Sequence, residues 1–198
     1  MARHIARVAA REFAARGYDA TSVRTIVEAA GVTKPTLYYH FGSKEGLAQA
    51  LLTDPLTRLV ERLRADASAE AEPGAILAAC FETHFTFCRE DPDRARFLYA
   101  LLFGPLGSSL AAEVSRFGDE LVGVMVETLR PLVTTGRVAA DRLDDMVMAC
   151  RGMIIVATMD FLYGNKELGP GLAQRLVADL LQGFAHRSEP DSSFEGNR

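Results

Sequence analysis

Residues 21–47 read Thr21-Ser22-Val23-Arg24-Thr25-Ile26-Val27-Glu28-Ala29-Ala30-Gly31-Val32-Thr33-Lys34-Pro35-Thr36-Leu37-Tyr38-Tyr39-His40-Phe41-Gly42-Ser43-Lys44-Glu45-Gly46-Leu47. Thr21 or Ser22 can accept the free N–H groups of a helix start, and Val23, Ile26, Val27 and Ala30 then keep one side of a short helix apolar up to Gly31. Gly31-Val32 makes a tight turn, Thr33 is the next N-cap, and Pro35 falls in the first turn of a third helix, where its missing N–H costs nothing. That helix starts at Lys34 and ends near His40 or Phe41. Two short helices across a turn, the second opening on exposed polar residues and a proline, form the helix-turn-helix arrangement, whose second helix enters the major groove of DNA. Leu37 and Phe41, four residues apart, anchor this helix to a core. Lys34, Thr36, Tyr38, Tyr39 and His40 are more polar and aromatic surface than so small a core uses.

Upstream, Ile5, Val8, Ala9 and Phe13 mark one face of a first helix over 5–16, stopped by Gly17. Downstream, Ser43 caps a fourth helix carrying Leu47, Leu51, Leu52, Leu59 and Leu63, which Asp54-Pro55 is expected to interrupt with a kink. Ala65 to Gly74 reads as a linker. Further helices are expected over 76–89, 93–103, from a cap at Ser108 or Ser109 to Pro131, over 141–163 and over 172–186. No period-two run argues for a sheet. The expected fold class is all-α with about nine helices: a three-helix helix-turn-helix domain over 1–48, a helical ligand-binding and dimerisation bundle over 49–187, and a polar tail over 188–198 expected to be disordered.

The run from Thr21 to Leu47 closely resembles the DNA-binding region of TetR-type transcriptional regulators, most specifically in Ala30-Gly31-Val32, in Leu37-Tyr38-Tyr39-His40-Phe41, and in Lys44 and Leu47. The resemblance covers roughly residues 5–52; Val27 stands where a smaller alanine is usual. It implies a DNA-contacting set of Ser22, Arg24, Thr33, Lys34, Pro35, Thr36, Tyr38, Tyr39, His40 and Lys44. Lys34 suits guanine O6 or N7, and Pro35 and Thr36 suit thymine methyls. Tyr38, Tyr39, His40 and Lys44 suit phosphates, and Arg24 either a base or a phosphate. The alternatives are that the two tyrosines pack on the first helix and that Lys44 is a solvated lysine. The charge distribution agrees with a DNA-binding head: residues 1–53 hold seven basic and four acidic side chains, a net of +3 within a chain of net −4.

In the body, the helix over 141–163 is apolar nearly all round, so it must be covered on most sides. Arg151 and Asp160, each costing roughly 2.5 to 3.5 kcal/mol at a bilayer centre, argue for a buried helix rather than a membrane span. The resemblance implies a homodimer through the helices 141–163 and 172–186, which places two recognition helices about 34 to 36 Å apart, or a multiple, on a palindromic operator. A small-molecule inducer pocket is expected among Phe81, His84, Phe85, Phe97, Leu101, Met125, Arg151 and Met159, although aromatic and methionine residues at helical spacing are also ordinary core. Arg151 would bind a ligand carboxylate, or else pair with Asp144, Asp145 or Asp160. Cys80, His84 and Cys88 recur every four residues, which raises thiol or metal sensing, against the simpler reading of buried cysteine as a small hydrophobe. No catalytic residue, cofactor or metal is expected, since no phosphate loop, nucleophile elbow or His-Glu-X-X-His pair occurs. The expected function is a cytoplasmic, DNA-binding transcriptional repressor released from its operator by a hydrophobic or amphipathic ligand. The alternative is a helical carrier or sensor of such molecules without sequence-specific DNA binding.

Overall fold

The computed structural model describes residues 1–69, 71–104 and 109–182. Among these the chain is all-α, with nine α-helices: α1 (Ala2–Arg16), α2 (Val23–Ala30), α3 (Lys34–Phe41), α4 (Lys44–Ala67), α5 (Pro73–Glu90), α6 (Pro92–Leu102), α7 (Ser109–Thr134), α8 (Leu143–Tyr163) and α9 (Leu172–Gln182). A 3-10 turn, Ala140–Arg142, leads into α8. The expected tail over 188–198, the end of the last expected helix with Phe184, and Ser108 lie outside the described residues.

Local chemistry sets most of these boundaries. Ser22, Thr33 and Ser43 each sit at the N-cap and accept the backbone N–H three residues on, from Thr25, Thr36 and Gly46. Gly31 ends α2 with φ 62°, a left-handed conformation that only glycine adopts at no steric cost. Thr21 is fully buried and serves as a tie rather than a cap: its hydroxyl donates to the Gly17 carbonyl at 2.7 Å.

Neither of two internal prolines ends its helix, including Pro55, which was expected to interrupt α4. α4 runs on through Pro55 as one helix, and α7 continues past Pro131 into its last turn. Proline forfeits one intrahelical bond, but Leu51, Leu52, Pro55, Leu56 and Leu59 are all buried, and that apolar face holds α4 together on both sides of the lost bond. The linker shrinks accordingly, because α4 continues to Ala67 and Pro73 opens α5 at its first position.

The head does not have a separate core. One buried cluster extends from Ile5 to Val177. α1 packs on α6, where the Phe13 and Phe97 rings meet with centroids 4.9 Å apart; α4 packs against both α5 and α7, and α5 against α9. α8 turns Val147, Cys150, Ile154, Thr158 and Leu162 inward, while Met148, Gly152, Val156 and Tyr163 face outward and are exposed. Within one chain, therefore, the helix expected to be covered on most sides is covered on one.

Candidate nucleic-acid interface and effector cavity

α3 projects from the head on a single fully buried residue, Leu37. Phe41, the second expected anchor, is half-buried against the same core. Around them Thr33, Lys34, Pro35, Tyr38, Tyr39 and His40 are exposed and Thr36 half-exposed. Tyr39 is 86% exposed and Tyr38 45%, so Tyr39 does not pack on α1. The Tyr39 and His40 rings meet edge to face at 5.1 Å. Lys34 has no ion-pair partner among the described residues. Ser22 and Arg24 stand on the adjoining start of α2; the Arg24 guanidinium is exposed and paired with Glu28 one turn on, at 2.7 Å. An exposed pair of this kind contributes little to stability, so it leaves Arg24 able to turn to another acceptor.

Lys44 differs from the others in being tied to its own chain. Its ammonium donates to the Tyr18 carbonyl at 2.9 Å and the Thr21 carbonyl at 3.0 Å, and lies 4.2 Å above the Tyr18 ring. Two of its three N–H bonds are therefore committed to holding the α1–α2 loop against the start of α4, and the third is left for another acceptor. Sequence reading also missed Gly46. A Cβ there would stand 2.2 Å from the Phe41 carbonyl oxygen, so α4 can approach the end of α3 only with glycine at this position. The sole signal was a glycine in the first turn of a helix. His4 was missed as well: its Nε2 donates to the Ala30 carbonyl at 3.0 Å and so ties α1 to the end of α2.

A cavity of about 120 Å³ lies in the body between α4, α5, α6, α7 and α8. Its wall is apolar apart from His84, Tyr99, Cys80, Thr128 and Arg151. Of the expected pocket residues, His84, Met125 and Arg151 line it, while Phe81, Phe85, Phe97, Leu101 and Met159 do not. Phe81 and Phe85 are fully buried and meet edge to face at 6.2 Å as plain core. Phe97 turns the other way, toward Phe13 of α1 and Tyr18 of the α1–α2 loop; Leu101 and Met159 are half-buried against the core. Helical spacing identified the apolar faces of these helices but not which neighbour each residue meets. Leu98, Tyr99 and Phe117 occupy the wall instead.

The polar groups of the cavity are electrically neutral apart from one. His84 hydrogen-bonds the Tyr99 hydroxyl at 3.0 Å, and burial pushes its pKa down to about 4, so the ring is uncharged near neutrality. Arg151 is the exception: it is exposed at the cavity's edge, and the acidic partners expected for it are engaged or unbonded to it, Asp160 with Lys166 at 2.7 Å and Asp145 with Arg142 at 2.8 Å. The cysteines are poor sensors. Burial raises Cys80 to about 11 and Cys88 and Cys150 to about 12, leaving protonated, unreactive thiols. Among the described residues no three histidine, cysteine or acidic side chains converge on a metal-sized space.

Residues 5–51 match the family described as bacterial regulatory proteins, tetR family. The HTH-type transcriptional regulator YdgC of Bacillus subtilis is 29% identical over 188 residues, which are 92% of this chain and 91% of YdgC. The HTH-type transcriptional repressor KstR2 of Mycobacterium tuberculosis is 40% identical over 78 residues, 39% of each chain. The solved structure of that ketosteroid transcriptional regulator superposes with a TM-score of 0.72 at 25% identity, covering 92% of this chain and 93% of the other. The Bacillus subtilis transcriptional regulator FadR, solved in complex with stearoyl-CoA, superposes with a TM-score of 0.70 at 18% identity, covering 93% of this chain and all of the other.

Proposed function

Since this chain belongs to the tetR family of bacterial regulatory proteins, and so is a DNA-binding transcriptional regulator, we propose that it is a cytoplasmic repressor that a small hydrophobic or amphipathic effector releases from a palindromic operator. The observation that carries this reading is α3: a helix held by one fully buried leucine that presents Lys34, Pro35, Tyr38, Tyr39 and His40 to solvent. Such a surface has no folding role and has the shape and chemistry for a major groove. In this reading Lys34, Pro35 and Thr36 meet base edges, Ser22, Arg24, Thr33, Tyr38, Tyr39 and His40 meet phosphates or bases, and Lys44 acts by holding the head in shape. The domain boundary near residue 48 is one of role, with the DNA-reading part before it and the dimer and effector parts after it.

The effector site is the apolar cavity. Its wall suits a molecule that is mostly hydrocarbon, and ketosteroids, for which the regulator KstR2 is named, are of that kind. Leu56 and Leu63 of α4 line the cavity, while the first turn of the same helix carries Lys44 and Gly46, which seat the head. A filled cavity therefore acts on head position through α4, provided that the effector binds more tightly to the arrangement unable to span the operator. Two copies meet through the uncovered face of α8 together with the half-covered Leu172, Leu176 and Leu180 of α9.

The test is fluorescence anisotropy against DNA from upstream of the protein's own gene, with long-chain acyl-CoA and a steroid as effector probes. Specific binding that Tyr38→Ala and Lys34→Ala each weaken at least about tenfold, the loss of one or two good contacts, is expected. Binding no tighter than to random DNA, at low salt and with the protein freed of co-purified ligand, would refute the repressor reading.

A further inference from the structure

A second, smaller cavity of about 50 Å³ opens between α4, α5 and α6, and unlike the first it is polar. Arg58 and Arg62, one turn apart on α4, and Arg94, in the first turn of α6, bring three guanidinium groups to its wall, against one carboxylate, that of Glu90. Glu90 offsets only Arg62, in an exposed pair at 3.9 Å. Arg58 is exposed and has no hydrogen-bond or ion-pair partner among the described residues. Arg94 is held in place: its Nη2 donates to the Phe87 carbonyl at 3.1 Å and its guanidinium lies 4.3 Å above the Phe87 ring. Its Nε, however, is buried with no hydrogen-bond partner. A buried donor left unpaired costs free energy, and a native structure carries few of them. Burial first, and repulsion from the Arg58 charge with it, push the Arg94 pKa below its ordinary range, against the pull of Asp91 and Glu90.

We propose that Arg58, Arg62 and Arg94 form a binding site for a phosphate dianion, separate from the apolar effector cavity. Three guanidinium forks from two helices and an excess of positive charge suit a tetrahedral group with several acceptor oxygens. A planar carboxylate satisfies one fork only. The ion supplies the acceptor groups that this cluster lacks and screens Arg58 from Arg94. Because Arg58 and Arg62 ride on α4 beside Pro55, which also lines the cavity, a bound dianion fastens the connecting helix to the α5–α6 edge. The phosphate is either the free inorganic ion or the terminal group of a phosphomonoester.

Thermal unfolding of the full chain, without DNA, tests this independently of the repressor reading. Wild type and Arg58→Gln are titrated with inorganic phosphate, or with glycerol phosphate as a phosphomonoester, against potassium chloride at the same ionic strength. In chloride alone Arg58→Gln melts at or above wild type, because the substitution removes a like charge and no contact. In phosphate the order reverses: the wild-type midpoint rises saturably and the variant binds about tenfold more weakly. A response to both compounds assigns free phosphate, and a response to the monoester alone assigns a larger phosphorylated ligand. If neither compound raises the wild-type midpoint above the chloride control, or if Arg58→Gln responds as wild type does, the site does not exist.

Discussion

Lys34 and Lys44 show how the same side chain is used in two ways within one small head. Lys44 bonds two backbone carbonyls, whereas Lys34 is exposed without an ion pair. Lys44→Ala strands the Tyr18 and Thr21 carbonyls and is expected to cost about 1 to 3 kcal/mol in urea unfolding, while Lys34→Ala leaves the midpoint unchanged. Gly46→Ala is a sharper test, because a helical Gly→Ala change ordinarily stabilises by roughly 0.5 to 1 kcal/mol. Here the new methyl meets a backbone oxygen at 2.2 Å, and the expected sign is reversed, a loss of about 1 to 3 kcal/mol. His84 gives the protein an acid limb. Its pKa is lowered from 6.5 to about 4 in the folded chain, so the unfolded chain takes up the proton first. The stabilising contribution is complete above pH 6.5 and lost progressively as pH falls toward 4, at most about 3 kcal/mol. His84→Gln should flatten the urea midpoint across that window; an unaltered slope would mean that His84 does not titrate as its burial dictates.

At the scale of helices, the chain was largely legible, because caps and periodicity are local. Ser22, Thr33 and Ser43 were readable as N-caps within a residue, and α2, α3 and the body helices followed from the spacing of their apolar residues. Pro55 was expected to interrupt α4, and the helix runs through it for a physical reason: the cost of a proline is local, but the burial that outweighs it comes from helices distant in sequence. The same limit explains Phe97 and Met159, whose apolar character was plain while the direction of their helices was not. α3 itself carries a prediction about salt. If Lys34 neutralises or displaces counterions at the DNA, Lys34→Ala should lower the slope of log affinity against log salt by about 0.9. Tyr39→Ala should weaken binding without changing that slope. Equal slopes for all three proteins would place Lys34 outside the contact surface.

For the whole molecule, the uncovered face of α8 exposes apolar side chains on the body, with Met148 67% and Val156 61% accessible. Exposed apolar side chains grouped on one helix face suit an interaction site, and in a dimer formed there an added charge would be buried without a partner. Val156→Asp is expected to shift the chain from dimer to monomer by analytical ultracentrifugation while its helix content is retained, and to reduce operator affinity to that of a single head. A dimer that survives the substitution would move the interface elsewhere. The continuous core leads to a different consequence. Because Phe13 of the first helix and Tyr18 of the loop that follows it seat on Phe97 of the sixth, the reading head is not an interchangeable module joined by a tether. A chimaera that carries these residues onto a foreign body inherits the operator preference but not the socket. It should respond more fully to the new body's ligand when a matching aromatic ring is grafted at the position of Phe97, since that ring seats the head on the body.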